Sequence, residues 1–441
     1  MREGSENKVK IWQMADCLPA FQRGCRRPLR AWILVMNQMK STDVCHLTRN
    51  FERLRVMEQF DDIRPYSDQE VRPVLDRLLQ DQQLLSALVR FNYPSLAILP
   101  EGFLRLLTRL LLQRKLAGVR DVRSLQVVIA PYVERGVKKT TSDVIWTGLD
   151  ALNPDQSYLF LSNHRDIVMD PVFVNYGLYN RGMETMRIAI GDNLLSRPYI
   201  SDLMRLNKSF IVKRSLGSSR EKLTACQKLS AFVNHSIETG HSVWIAHRDG
   251  RAKDGDDRTD SAIIKMLYMS QKGKGCTFGE VMEKLRIVPV SVAYEYDPCD
   301  QRKANELQVR SGQGNYDKAA DEDIQSIAMG IEGWKGHVQV SFGQPLGAGF
   351  DSAVDVAREV DRQIHTLYHL YPSNYIAHEL LCEHQGERKI PGWEQLFSGI
   401  DLDEKRDTFN ERLNACASAC RDWFLRIYAN PVINRYRDLI Y

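Results

Sequence analysis

The stretch Leu159-Phe160-Leu161-Ser162-Asn163-His164-Arg165-Asp166-Ile167-Val168-Met169-Asp170 decides how this chain is read. An apolar run stops abruptly at Asn-His, and carboxylates follow two and six residues after the histidine. Such a run reads as a buried strand, and open α/β sheets put their chemistry where strands of this kind emerge. With a carboxylate to orient it, His164 is a candidate general base, and Asp166 and Asp170 are the candidates for that carboxylate. A histidine at a strand end also serves as a structural residue, so the segments downstream carry the decision.

Outward from this strand the rhythm is α/β. Strands are expected at Val127–Ile129, Val144–Trp146, Tyr158–Leu161, Met186–Ile190, Phe210–Val212, Val243–Ala246, Ile287–Tyr294 and Val338–Phe342. Helical segments separate them, the clearest at Arg220–Thr239, closed by Gly240 as a C-terminal glycine. This alternation predicts an α/β fold, a mixed sheet flanked by helices, with helical N- and C-terminal additions. Residues 125–350 form the expected α/β domain, 57–124 a helical N-terminal region and 351–441 a helical C-terminal region. The latter is expected as helices at Ser352–Tyr368, Asn374–Cys382 and one long stretch from Glu404 to about Tyr436. Ser67 with Glu70 reads as a capping box. Residues 103–116 are leucine-rich, with a polar stripe at Arg105, Arg109 and Gln113. That face either packs on its own domain or lies on a membrane.

Composition narrows the function classes. The chain has 441 residues, 26% of them charged and 43% hydrophobic, an ordinary globular balance. Its net charge of +4 is uneven: residues 1–56 hold 11 Lys/Arg against 5 Asp/Glu, which leaves the remainder slightly acidic and argues against nucleic acid as a partner. The first 56 residues are also poorly patterned, and regular sequence begins at Met57. They read as an extension ahead of the true start, with a basic arm for an anionic surface as the alternative. Nine cysteines show no pairing pattern and no zinc spacing, so neither a disulfide framework nor a metal site is expected. Cys416 and Cys420 are expected to share a helix face. A reducing, cytoplasmic setting fits. With no secretory leader and no run of about 18 uncharged apolar residues, membrane contact is expected to be peripheral, at the inner face.

Three further blocks bear charge or an irregularity at strand ends. Phe210-Ile211-Val212-Lys213-Arg214 delivers two adjacent cations, which suits an anion. Val243-Trp244-Ile245-Ala246 runs into His247-Arg248-Asp249-Gly250-Arg251-Ala252-Lys253, where Arg248, Arg251 and Lys253 can converge on one phosphate and Gly250 permits an unusual turn. Ile287-Val288-Pro289-Val290 is an apolar strand whose proline suggests an edge or irregular position. No Gly-rich phosphate loop follows any strand.

In order, these four blocks resemble the four motifs of the glycerophospholipid acyltransferase family: Asn-His-x4-Asp, an apolar strand ending in Arg or Lys-Arg, Phe-x-Glu-Gly-x-Arg, and an apolar strand with Val-Pro-Val. They stand here as Asn163-His164…Asp170, Phe210–Arg214, Trp244…Asp249-Gly250-Arg251 and Val288-Pro289-Val290. Phe342-Gly343-Gln344-Pro345 is similar to a Gly-x-Pro near the end of the family's domain. Three departures stand out. Five residues separate His164 from Asp170, so either the loop absorbs one or Asp166 takes the role; Asp249 stands for glutamate; and Arg251 follows Gly250 directly. The resemblance implies acyl transfer from acyl-CoA or acyl-carrier protein to a hydroxyl of a lysophospholipid, foremost 1-acyl-glycerol-3-phosphate, or of glycerol phosphate. His164 would be the base, Lys213, Arg214, Arg251 and Lys253 would grip the acceptor phosphate, and Asn163, Asp249 and Gly250 would order the loops. No cofactor is implied beyond the acyl donor. A catalytically silent lipid-binding protein on the same fold is the alternative.

Overall fold

A computed structural model describes residues 57–92, 99–195, 197–319, 321–386 and 389–437. The expectations for residues 1–56 lie outside the described residues. The chain divides into two units, Met1–Asp62 and Ile63–Tyr441, and the sheet with its flanking helices lies in the second.

Seven strands form one sheet: β1 (Asp143–Thr147), β2 (Leu159–Ser162), β3 (Arg187–Gly191), β4 (Ser209–Val212), β5 (Val243–Ala246), β6 (Ile287–Tyr294) and β7 (His337–Phe342), in the order β1-β7-β6-β2-β5-β3-β4. β6 and β7 are antiparallel, and every other neighbouring pair is parallel. The carboxyl ends of β2 to β6 therefore share one edge, where loops with free side chains gather. One face of the sheet, with Phe160, Trp244, Val288, Val290 and Val340, packs with Met169, Phe173 and Val174 of the helix Met169–Asn180. The helices Ser219–Glu238, Ser261–Met269 and Ala353–Leu367 pack in a row against β5 and β6. Ala293 of β6 points the opposite way from Val292 and joins a second core built by the helices Pro372–Gln385, Leu402–Ala415 and Arg421–Arg435.

Four sequence expectations are corrected. Val127–Ile129 is not a strand but the middle of the helix Val122–Thr140, which Asp121 opens by accepting the Ser124 N–H at 2.7 Å. Its core contacts repeat helically at Val122, Leu125 and Val137, while Val127 and Ile129 point outward. Pro289 is not at an edge, because β6 lies between β7 and β2. It is tolerated because it faces Gly343, one residue past the end of β7: its carbonyl accepts the Gly343 N–H at 2.8 Å, and only the return bond is missing. The long C-terminal helix breaks at Cys416, so Cys416 and Cys420 flank a turn and share no helix face; both are buried in the second core.

The helix Glu101–Leu116 is inverted. It buries Leu104 and Thr108 and half-buries Arg105, Arg109 and Gln113, whereas Phe103 (56% exposed), Leu106 (55%) and Leu110 (50%) face outward. The expected capping box at Ser67 and Glu70 is formed.

Trp146 of β1 donates its indole N–H to the Phe173 carbonyl at 2.9 Å and lies against Gly177 of the helix Met169–Asn180. A β-carbon on Gly177 would fall 2.4 Å from the indole ring. Gly177→Ala is expected to lower stability by about 1–3 kcal/mol through overpacking, measured by denaturant unfolding.

Candidate active site

Asn163 follows the end of β2; its N–H still donates to the Val290 carbonyl at 3.2 Å, and its side chain continues the pairing beyond. Its Oδ1 accepts the Val292 N–H at 2.7 Å, and its Nδ2 donates to the Val292 carbonyl at 3.2 Å and to Asp257 at 3.1 Å. The next residue, His164, is thereby delivered to the sheet edge, with its side chain 14% exposed. Its Nδ1 lies 2.7 Å from Oδ2 of Asp170, which is fully buried in the first turn of the helix Met169–Asn180. The same Oδ2 accepts the backbone N–H groups of Arg165 at 2.6 Å and Asp166 at 2.9 Å, and Oδ1 accepts the Tyr294 hydroxyl at 2.6 Å.

Asp166 does different work. Its Oδ1 accepts the N–H groups of Val168 and Met169 at 3.0 and 2.8 Å, which caps the helix that carries Asp170. Burial and the nearby Asp170 charge raise the Asp166 carboxyl above the usual carboxylate range.

The third charged block folds back on this loop. The Ala252 N–H donates to the His164 carbonyl at 2.9 Å. The buried Arg165 donates to Asp257 at 2.6 Å and to the Gly255 carbonyl at 3.1 Å. Burial opposes the guanidinium charge, but the surrounding carboxylates, Asp257 foremost, outweigh it and hold Arg165 protonated. Gly250 adopts a left-handed conformation (φ +72°) where a side chain would be strained. Arg214 pairs with Asp249 at 2.8 Å, tying the second block to the third.

A cleft of about 520 Å³ opens on His164. Its apolar lining includes Val168, Val172, Ile188, Ile190, Leu194 and Met204. Its charged lining includes Lys213, Arg214, Arg248, Asp249, Arg251 and Lys253. All four sequence-derived cations thus line one cleft, but they are not equivalent. The Lys253 ammonium is paired with the buried Glu306, and burial brings it down to about 8. Arg251, half-buried, makes no ion pair among the described residues. Trp244 of β5 stands edge-on to the His164 ring at 5.3 Å. With Nδ1–H directed at Asp170, the lone pair of Nε2 is left for a substrate proton. No group of His, Cys, Asp and Glu among the described residues is arranged to hold a metal ion.

Sequence reasoning missed Arg165, Asp257 and Tyr294. Asp257 and Tyr294 lie about a hundred residues downstream of the partners they touch, in segments without a spacing signal. Arg165 sits beside His164, yet an arginine in a loop looks solvated until the fold closes over it.

Asp166→Ala removes one cap and is expected to cost about 1 kcal/mol. Asp170→Ala strands the buried Arg165 and Asp166 N–H groups and the Tyr294 hydroxyl, and is expected to cost at least about 3 kcal/mol. Urea titration of the two variants checks the order.

Comparison with known proteins agrees with the motif blocks. Residues 143–293 match the family model described as Acyltransferase. No curated protein matches the chain. Among solved structures, the crystal structure of the 1-acyl-sn-glycerophosphate (LPA) acyltransferase PlsC from Thermotoga maritima aligns at 15% sequence identity, covering 65% of this chain and 94% of that chain, with a TM-score of 0.36. The four motif blocks, ordered along β2, β4, β5 and β6, all fall within residues 143–293, the stretch that is similar to the Acyltransferase family.

Proposed function

We propose that this O-acyltransferase moves a fatty acyl group from acyl-CoA or acyl-carrier protein to the free hydroxyl of 1-acyl-glycerol-3-phosphate. The observation that carries the reading is the 2.7 Å His164–Asp170 contact in a cleft lined by both apolar and cationic side chains. His164 Nε2 takes the proton of the acceptor hydroxyl while that oxygen attacks the thioester carbonyl carbon. Asp170 stabilises the imidazolium that forms. The tetrahedral intermediate then collapses, the C–S bond breaks, and the imidazolium returns its proton to the departing thiolate. Arg251, Arg214, Lys213 and Lys253 hold the acceptor phosphate, with Arg248 beside them. Asn163, Asp249 and Gly250 keep the surrounding loops in register. The apolar lining takes the acyl chain.

The protein meets its lipid as a peripheral protein at the cytoplasmic membrane face. No helix among the described residues is long and apolar enough to cross a bilayer. The outward leucines of the helix Glu101–Leu116, with Arg114 and Lys115 exposed in its last turn, have the chemistry of an interfacial helix facing anionic lipid. Among the described residues Cys226, Cys276, Cys299, Cys416 and Cys420 form no disulfide, which fits a reducing compartment.

Transfer from oleoyl-CoA to lysophosphatidate and, in parallel, to glycerol 3-phosphate tests the reaction. Native protein is expected to acylate lysophosphatidate, and His164→Ala to lose turnover at least about a thousandfold with its melting temperature retained. Turnover surviving in that variant ends the assignment of the base. For the membrane contact, Leu106→Glu with Leu110→Glu is expected to weaken binding to phosphatidylglycerol vesicles about tenfold or more, read by co-sedimentation.

A further inference from the structure

We propose that Tyr294 is a positioning residue of this reaction: by donating its hydroxyl proton to Asp170, it aims the carboxylate at His164 and sets the basicity of the imidazole. The inference rests on His164 being the base.

Tyr294 is the last residue of β6 and lies one residue beyond the stretch that matches the acyltransferase family. β6 starts level with β2, Ile287 opposite Leu159, and runs four residues past the β2 end at Ser162, which sits opposite Val290. That overhang carries the phenol across the sheet edge, and its hydroxyl lies 2.6 Å from Asp170 Oδ1. The ring is held by an edge-to-face contact with Phe173 at 5.9 Å, on the same helix as Asp170. Tyr294 is 4% exposed and absent from the cleft lining, so it acts on substrate only through Asp170 and His164. Burial, followed by the Asp170 charge, pushes the phenol well above its ordinary range, so it remains a donor at every working pH.

A hydrogen bond from Tyr294 draws charge from Asp170 and so weakens its hold on the imidazolium. Without it Asp170 becomes the stronger acceptor, the imidazolium is favoured, and His164 titrates higher. The other charges around the pair are Asp166, Asp297, Lys303 and Lys335 behind Asp170. His247 lies beside His164, and Arg248 and Arg251 line the same cleft. None of these donates to Asp170 Oδ1 among the described residues, so Tyr294→Phe alters one hydrogen bond in an otherwise unchanged field.

The test is the pH profile of kcat/KM for lysophosphatidate acylation by native protein, Tyr294→Phe and protein carrying 3,5-difluorotyrosine at position 294. The acidic limb is expected to move up by about half a unit in Tyr294→Phe and down in the fluorinated protein, whose phenol is the stronger donor, with KM for both substrates unchanged. A merely structural tyrosine would lower kcat or the melting temperature and leave the limb where it was. A limb that moves in neither protein overturns the inference. His164→Ala, run alongside, separates the two failures: activity retained there removes the base itself, whereas an inactive His164→Ala with unmoved limbs removes only the role of Tyr294.

Discussion

The edge of the sheet that carries His164 is organised by one buried carboxylate. Asp170 has no exposed surface, and a charge so placed is tolerated only when donors surround it. They come from separate parts of the chain: the N–H groups of Arg165 and Asp166 in the turn after β2, the His164 ring, and the Tyr294 hydroxyl at the end of β6. The carboxylate also sits in the first turn of a helix, where the macrodipole favours negative charge. The path of the turn, the position of the helix and the overhang of β6 are therefore coupled. Moving any one of them leaves a donor or the charge without its partner.

Behind this centre the C-terminal third of the chain acts as a brace. Lys303 donates to the Arg165 carbonyl at 2.7 Å and pairs with Asp297, whose N–H donates to the Tyr428 hydroxyl oxygen at 2.9 Å. Asn430 donates to the Asp254 carbonyl at 2.7 Å, and a β-carbon on Gly255 would strike the Ile427 carbonyl. The helix Arg421–Arg435 thus presses on the loop that carries Arg251 and Lys253 and, through Tyr428 and Asp297, reaches the turn that carries His164. Residues outside the acyltransferase match at 143–293 help fix the geometry inside it.

Much of this sheet edge was legible in the sequence, because strands announce themselves locally. β2 to β7 were each placed to within a residue or so, since a run of apolar residues halted by a charge is a property of neighbouring residues. Val127–Ile129 misled because β-branched residues cluster there, although helical capping by Asp121 and a core contact every third or fourth residue decide the conformation. Pro289 suggests an edge only until its neighbours are known: β6 is interior, and a single ladder bond, the return to Gly343 just past β7, is missing.

The sequence by itself determined where the sheet emerges and which charges stand there: Asn163 and His164 after β2, Lys213 and Arg214 after β4, Arg251 and Lys253 after β5. These follow from periodicity and adjacency, which act over a few residues. Only the tertiary structure decided what each of them meets. It pairs His164 with Asp170 and leaves Asp166 as a cap, sets the Lys253 ammonium on Glu306, turns the leucines of Glu101–Leu116 outward, and brings Tyr294 to a carboxylate 124 residues earlier in the chain. Such choices are made when distant segments compete to satisfy the same buried charge, and no local pattern records the outcome.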